Sequence, residues 1–316
     1  MSEADKQSLE DSHAHDADLE VPAPPGLAYL PFQKAAIAYA LNRRGTLIGD
    51  EMGLGKTVEA IGVVNALCNN AARARPHHPG GGGAGELDSD HATRSPVSTI
   101  GPQRILIICP ASLRLNWQAE WRRWHTGKLR PVLLDQWPGG ALVDRTQGLA
   151  LIVSYDSVKK WHPMIAEAPW DVLICDEAHL LRSEGTRRAK SIFGGKYQGQ
   201  TFQPLLARRK LFLTGTGIVN RATDLWPLVH ALAPQGLGAN RADFVKRYDG
   251  NSRLDELHMR LRSQIMVRRR KDDVLKELPA KRRQIVLLDV ADSESVLRAE
   301  RDALSFAAAQ LEKARH

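Results

Sequence analysis

The sequence predicts an α/β fold, with a central, mainly parallel sheet flanked by helices. Three observations predict it. The runs Thr46-Leu47-Ile48, Ile105–Cys109, Leu151–Val153 and Val172–Cys175 are short and apolar throughout, as strands covered on both faces are. Segments with helical spacing of apolar residues separate them. The strands also end in small, hydroxylic or acidic residues, the edge at which open α/β sheets bind ligands.

Taken in order, residues 1–25 are rich in Asp, Glu, Ser and His and then Pro, and are expected to be a mobile acidic tail. Structure is expected from about Leu27. In Leu30–Leu41 a proline stands where a first helical turn accepts it, followed by a nearly all-round apolar helix that carries the polar Gln33. Gly49–Thr57 then joins the strand at Thr46–Ile48 to a helix carrying Val58, Ile61, Val64 and Cys68. Residues 70–102, with Gly80–Gly83 and many Pro, His and Ser, have no packing capacity and read as a surface insertion.

Beyond it, Ile105–Cys109 is a buried strand ending at Pro110-Ala111-Ser112. Leu113, Trp117, Trp121 and Trp124 follow at helical spacing, which reads as a core-facing stripe rather than a base-stacking platform. Leu151–Ser154 is a strand ending in Tyr155-Asp156, either a ligand-facing strand end or a strand followed by an N-cap. Gln284–Val290 reads as a last strand, with Ser293 capping a terminal helix over 291–316.

Two stretches carry chemistry. A loop containing Gly53 and Gly55 lets backbone N–H groups close around phosphate oxygens, and the following helix adds its positive end. Lys56 would reach the β and γ phosphates and Thr57 would hold Mg²⁺. The usual form of such a loop has glycine where Asp50 stands. In Val172–His179, four apolar residues precede Asp176 and Glu177. Asp176 is suited to hold Mg²⁺ through water, and Glu177 to orient or deprotonate an attacking water.

Together, Asp50-Glu51-Met52-Gly53-Leu54-Gly55-Lys56-Thr57 and Asp176-Glu177-Ala178-His179 resemble the Swi/Snf-type DNA-dependent ATPases of helicase superfamily two, where the Asp50 position tolerates residues other than glycine. The resemblance covers about residues 27–290 and implies a RecA-like phosphate-loop lobe over 26–290, with ATP and Mg²⁺ as ligands. It assigns Asp50–Thr57 to the nucleotide and Gln33, within Leu30-Pro31-Phe32-Gln33, to the adenine edge. It gives Ser112 and Arg114, then Ser154 and Tyr155, to DNA. His179, Thr214 and Thr216 become groups that couple nucleotide state to DNA grip. Gly217 departs from the family's usual proline, which is expected to loosen that coupling turn. Asn220, Asp224, Leu225 and Trp226 continue the pattern. Met266–Leu275 and Leu278–Lys281 are similar to the segment that closes the first lobe, and the cluster Arg268–Lys271 either grips phosphates or is structural and ion-paired. The likeness through Leu-Pro-Phe-Gln and Pro-Ala-Ser-Leu-Arg-Leu-Asn-Trp is greatest to the annealing-helicase branch.

Such enzymes use two lobes, and the ordered motifs account for one. The expectation is therefore a lobe that drives movement on DNA only when complemented by a second lobe, such as one on a separate chain. The alternative is a non-hydrolysing ATP- and DNA-binding module. Charge agrees with a polyanionic partner: residues 1–20 hold seven acids and one lysine, so the formal +8 of the chain becomes +14 for the remainder. Cys68, Cys109 and Cys175 each lie within an apolar segment and read as core thiols. No apolar run reaches membrane-spanning length and no signal-peptide pattern opens the sequence, so the expected location is intracellular, beside a nucleoid or in a nucleus.

Overall fold

The computed structural model describes residues 3–73, 104–137, 148–215, 221–251 and 253–275. In chain order the regular elements are α1 (Glu3–His13), α2 (Pro31–Leu41), β1 (Gly45–Ile48), α3 (Lys56–Arg73), β2 (Arg104–Cys109), α4 (Arg114–Trp124), β3 (Arg130–Leu133), β4 (Leu149–Ser154), α5 (Tyr155–Ala166) and β5 (Trp170–Cys175). They continue with α6 (Arg187–Phe193), β6 (Gly195–Tyr197), β7 (Gln200–Phe202), β8 (Ala207–Leu213), α7 (Trp226–Leu232), α8 (Arg241–Tyr248), α9 (Leu254–Gln264), β9 (Met266–Val267) and α10 (Lys271–Val274). The expectations for residues 74–103, Thr216, Gly217, Asn220, Leu278–Lys281, the strand at 284–290 and the helix at 291–316 fall outside the described residues.

Seven strands form one sheet in the order β3-β4-β2-β5-β8-β1-β9, and each recorded pairing within it is parallel. The apolar runs are continuous because both faces are covered. Ile105, Ile107, Ile152, Ile174, Leu211 and Leu213 meet Ile37, Ile61, Val64, Trp117 and Trp121 from α2, α3 and α4. Leu106, Ile108, Leu151, Val153, Leu173 and Phe212 meet Val158, Ile192 and Leu228 from α5, α6 and α7. The tryptophans of α4 are core residues as their spacing predicts, with Trp117 and Trp121 buried.

Residues 3–25 differ from the mobile tail expected of them. Glu3–His13 is helical and packs beside α9, where Ser8 Oγ donates to the Ser263 carbonyl and Arg43 donates to Ser8 Oγ. Leu19, Val21 and Ala23 then lie against the core. Most of the acids face solvent while a few small hydroxyls and aliphatic groups dock, which composition averaged over 25 residues conceals. Residues 70–73, expected in the insertion, belong to α3. The β6–β7 hairpin was not foreseen either. Its turn places Gln198 and Gly199 at positive φ, the geometry of a tight hairpin, without the Asn-Gly pair that announces one.

Asn65 of α3 is buried and ties three segments together, its Nδ2 donating to the carbonyls of Pro22 and Trp124 and to Tyr29 Oη. Its Oδ1 accepts from Thr126 N, so the 2.7 Å contact to His125 Nδ1 is also a donation to Asn65. Burial pulls the His125 pKa down to about 4. Because this folded value lies below the ordinary 6.5, the unfolded chain takes up the proton first and stability falls as pH drops from about 6.5 towards 4. Urea unfolding across that range is expected to show a smaller loss of stability for His125→Gln than for the parent chain; equal slopes would remove His125 as the cause.

Candidate functional site

Parallel strands deliver their carboxyl ends to one edge, and the predicted site assembles there from β1, β2, β5 and β8. Pairing of Ile48 with Leu213, and of Ile108 with Cys175, sets the loops after these strands side by side. The loop after β1 starts with Gly49 N–H donating to the Val267 carbonyl at 2.8 Å and Glu51 N–H to the Arg269 carbonyl at 3.0 Å. Gly53 and Gly55 both have φ of +88°, a conformation side chains resist. At Gly55 a Cβ would also stand 2.6 Å from Gln33 Nε2.

Gln33 is buried, accepts from Leu30 N–H through Oε1 at 3.0 Å and donates from Nε2 to the Leu54 carbonyl at 3.0 Å. It is therefore fastened to the loop rather than displayed on a helix surface. Lys56 opens α3 and its Nζ lies 3.0 Å from the Asp50 carbonyl and 3.4 Å from that of Glu51, so the loop wraps its ammonium. Thr57 follows on the first turn of α3, and Leu54 is buried while Met52 is exposed. Not every residue of the loop presents its side chain. Asp50 is fully buried, and both carboxylate oxygens are taken by Arg269, Oδ1 by its N–H at 2.9 Å and Oδ2 by Nη1 at 3.2 Å. The expected contact of Asp50 with a nucleotide is thus limited to its backbone. Glu51 Oε2 likewise accepts from Lys271 N–H at 2.8 Å.

At the end of β5, Asp176 is buried with its carboxylate held on both sides, Oδ1 by Glu177 N–H at 2.9 Å and Oδ2 by Trp117 Nε1–H at 2.8 Å. Its carbonyl accepts from Tyr155 Oη–H at 2.7 Å. Burial pushes the Asp176 carboxyl up, and the Trp117 and Glu177 hydrogen bonds oppose that rise. Glu177 sits in the left-handed region, φ 49° and ψ 47°, a costly conformation for a residue with a Cβ. That turn carries its carboxylate to His179, whose Nδ1 is 3.0 Å from Glu177 Oε2, an ion-pair distance without hydrogen-bond alignment. From β8, Thr214 N–H donates to the Ile48 carbonyl at 3.0 Å, and a Cβ on Gly215 would stand 3.1 Å from Lys56 Nζ. Gln33, Lys56, Asp176, Glu177, His179 and Thr214 are thereby brought to one sheet edge.

The four residues expected at DNA separate into two kinds. Ser112 is exposed on the turn Ala111–Leu113 after β2, and Arg114 stands next to it with Nη1 2.9 Å from Asp135 Oδ1. Ser154 and Tyr155 are buried: Ser154 caps α5 by accepting from Ser157 N–H, and the Tyr155 hydroxyl is spent on Asp176. The N-cap expected as one reading of that strand end is formed, and both side chains are engaged within the protein. Sequence reasoning also passed over Trp117 as a support for Asp176. Its indole belongs to the core stripe, and only the N–H at its edge reaches the site.

Thr57 and Asp176 offer a hydroxyl and a carboxylate, oxygen donors of the kind a hard divalent cation takes. Asp176 has one protein donor on each carboxylate oxygen and so keeps acceptor capacity for water or a cation. The donor set fits Mg²⁺. Among the described residues no group of three or more His, Cys, Asp or Glu is arranged to hold a metal by itself.

The family model described as "SNF2-related domain" matches residues 27–312. The chain belongs to the SNF2-related domain family. It is 32% identical over 267 residues to the SWI/SNF-related matrix-associated actin-dependent regulator of chromatin subfamily A-like protein 1 of Bos taurus, covering 80% of this chain and 24% of that protein. It is 29% identical over 290 residues to the DNA annealing helicase and endonuclease ZRANB3 of Homo sapiens, covering 83% of this chain and 22% of that one. The SNF2-related chain thus spans about a quarter of the length of these curated relatives. Among solved structures, the Sulfolobus solfataricus SWI2/SNF2 ATPase core in complex with dsDNA superposes with a TM-score of 0.57 at 20% identity, covering 83% of this chain and 49% of that one. That likeness establishes the SWI2/SNF2 ATPase-core fold.

Tyr155 separates the two accounts of its strand end. Tyr155→Phe removes only the hydroxyl and leaves a buried carbonyl unpartnered, so urea unfolding is expected to show a loss of about 1–3 kcal/mol. Its DNA affinity is expected to match that of the parent chain. A weakened DNA complex with unchanged stability would favour the DNA contact instead.

Proposed function

We propose that this SNF2-related lobe binds ATP with Mg²⁺ at the β1–α3 loop and forms half of a DNA-dependent ATPase that moves on or remodels DNA. One observation carries the reading: the loop wrapped around the Lys56 ammonium and the supported Asp176-Glu177 turn meet at a single edge of the sheet. The family membership and the names of the relatives, which include an annealing helicase, agree with it.

In this reading the N–H groups of residues 52–57 and the Lys56 ammonium take up phosphate charge, while Gln33, already bound to the loop, lies where an adenine edge would be sensed. The spare Nε2 hydrogen and Oε1 lone pair of Gln33 remain for the base. Mg²⁺, when bound by Thr57 and Asp176, would neutralise developing charge between the outer phosphates. Glu177 would accept the proton of an attacking water, with His179 beside it linking that carboxylate to the Thr214 turn and, with Thr216, to DNA. Thr57, Asp176 and Glu177 do not complete a transition-state cage. Phosphoryl transfer gains about 10³–10⁵ in rate from an arginine finger, about 4–7 kcal/mol, and in this reading a facing second lobe, in the same polypeptide or on a separate chain, supplies it.

DNA would cross the same edge at Ser112 and Arg114, backed by the net charge of +14 beyond residue 20. The protein would accordingly work wherever the DNA is, in a nucleoid or a nucleus.

A fluorescent ATP analogue is expected to bind the parent chain in a Mg²⁺-dependent way and to bind Lys56→Ala at least tenfold more weakly, about 1.4 kcal/mol. Glu177→Gln is expected to retain binding while abolishing the hydrolysis that appears when a second lobe and DNA are added. Equal binding by Lys56→Ala would refute the nucleotide site. DNA binding is expected to be indifferent to sequence, and Arg114→Ala to lower the log–log salt slope by about one unit, the share of a single phosphate. An unchanged slope would remove Arg114 from the DNA path.

A further inference from the structure

The basic run Arg268–Lys271 turns towards the nucleotide loop. Arg269 is only 2% exposed. Besides the two bonds it gives the Asp50 carboxylate, its Nε donates to the Ala14 carbonyl at 2.9 Å. Lys271 holds the next loop residue, with its N–H on Glu51 Oε2, and its ammonium lies beside Gly53, where a Cβ would stand 3.1 Å from Nζ. The first two acidic residues of the loop are therefore both committed to residues 269–271.

Ala14 follows directly on α1, and α1 is fixed independently of the loop. Ser8 bridges Ser263 and Arg43, and Arg262 Nη1 donates to the Ser12 carbonyl at 3.5 Å. A continuous chain of contacts thus runs from α1 through Ala14 and the Arg269 guanidinium to Asp50, six residues before Lys56. The far side of Asp50 meets a carboxyl rather than a guanidinium. Glu59, on the first turn of α3, is fully buried against Asp50, and burial together with the Asp50 carboxylate pushes its carboxyl well above the usual range, which favours the neutral form. Of the groups around the Asp50 carboxylate, the bonded cation is the guanidinium that Ala14 helps to aim.

We propose that Arg269 is a positioning residue for the nucleotide loop and that α1, acting through Ala14, sets its reach, so that the seating of residues 3–14 governs nucleotide affinity. The proposal rests on the reading of the Lys56 loop as the nucleotide site. It gives the acidic helix and the arginine run one shared task. Arg269 is withdrawn from any DNA track, because its guanidinium is buried and bonded.

The test uses the full chain with four changes: Arg269→Gln, Arg269→Lys, Ser8→Pro, and the first and third together. Proline at residue 8 breaks α1 and removes the Ser8 hydroxyl bridge without touching the loop. Titration with a fluorescent ATP analogue is expected to show Arg269→Gln and Ser8→Pro each weakening binding about tenfold, within the usual span of coupling between sites. The double variant is expected to be no weaker than the worse single one, because both act through one contact chain, and Arg269→Lys to recover part of the affinity. Hydrogen exchange in Ser8→Pro should accelerate at residues 50–55, which decides the matter even if Arg269→Gln fails to fold. Parent-like affinity and loop exchange in Ser8→Pro, or losses that multiply in the double variant, would overturn the inference. In that event a parent chain that still loses binding on Lys56→Ala leaves the nucleotide site standing. A parent chain that binds no nucleotide removes both.

Discussion

Parallel pairing with both faces covered is the constraint on which the site depends. A parallel ladder requires every strand to return by a crossover, and the helices that make the crossovers bury the sheet. The strands then end on one edge, where their last residues have backbone groups but no further ladder to join. Strand β1 is four residues long and is held by β8 along its whole length and by β9 over two residues. That grip fixes the point from which the nucleotide loop leaves, and the same ladder brings Asp176 and Thr214 alongside.

Asp176 is buried within this edge, and that governs how it can be used. A carboxylate with little solvent would lose its charge unless donors replace water. Trp117 and the Glu177 N–H do so, and each comes from an element fixed by other forces: Trp117 by the core beneath α4, Glu177 by the turn after β5. The left-handed backbone of Glu177 costs on the order of 1–3 kcal/mol, a strain that persists because the Asp176 carboxylate and the strand end over-determine the turn. The acidic pair is thus held ready before any ligand arrives.

The sheet and both chemical stretches were legible in the sequence because their signals are local. Continuous apolar runs, paired glycines before Lys-Thr and two acids after a strand lie within a few residues of one another. What the sequence concealed depends on contacts between distant segments. Trp117 shares its spacing with Trp121 and Trp124, and nothing in that pattern says which indole N–H meets Asp176. Tyr155 sits at a polar strand end in sequence, yet its ring turns into the core. Asp50 reads as part of a ligand loop, but an arginine 219 positions away claims its carboxylate. The helix at Glu3–His13 was hidden by averaging, since seven acids outweigh the few side chains that dock.

Charge alone left two readings open for Arg268–Lys271, and the ion pairs of Arg269 and Arg270 match the structural one. Four consecutive cations on a basic chain suggest a polyanion, and a surface strand of such residues would meet one. Here the run leaves β9 beside β1, so alternate residues point back at the loop that β1 emits. Arg269 goes inward to Asp50 while Arg270, its neighbour, reaches the exposed Asp272. A buried guanidinium bonded to a buried carboxylate is costly to assemble and costly to break, so it tolerates one arrangement and resists others. In the proposed nucleotide site, where the loop would close on phosphates, that selectivity is the useful property. Arg269 engages the Asp50 carboxylate and Lys271 N–H that of Glu51, leaving the Lys56 ammonium on backbone carbonyls, which in the proposed reading a phosphate would replace.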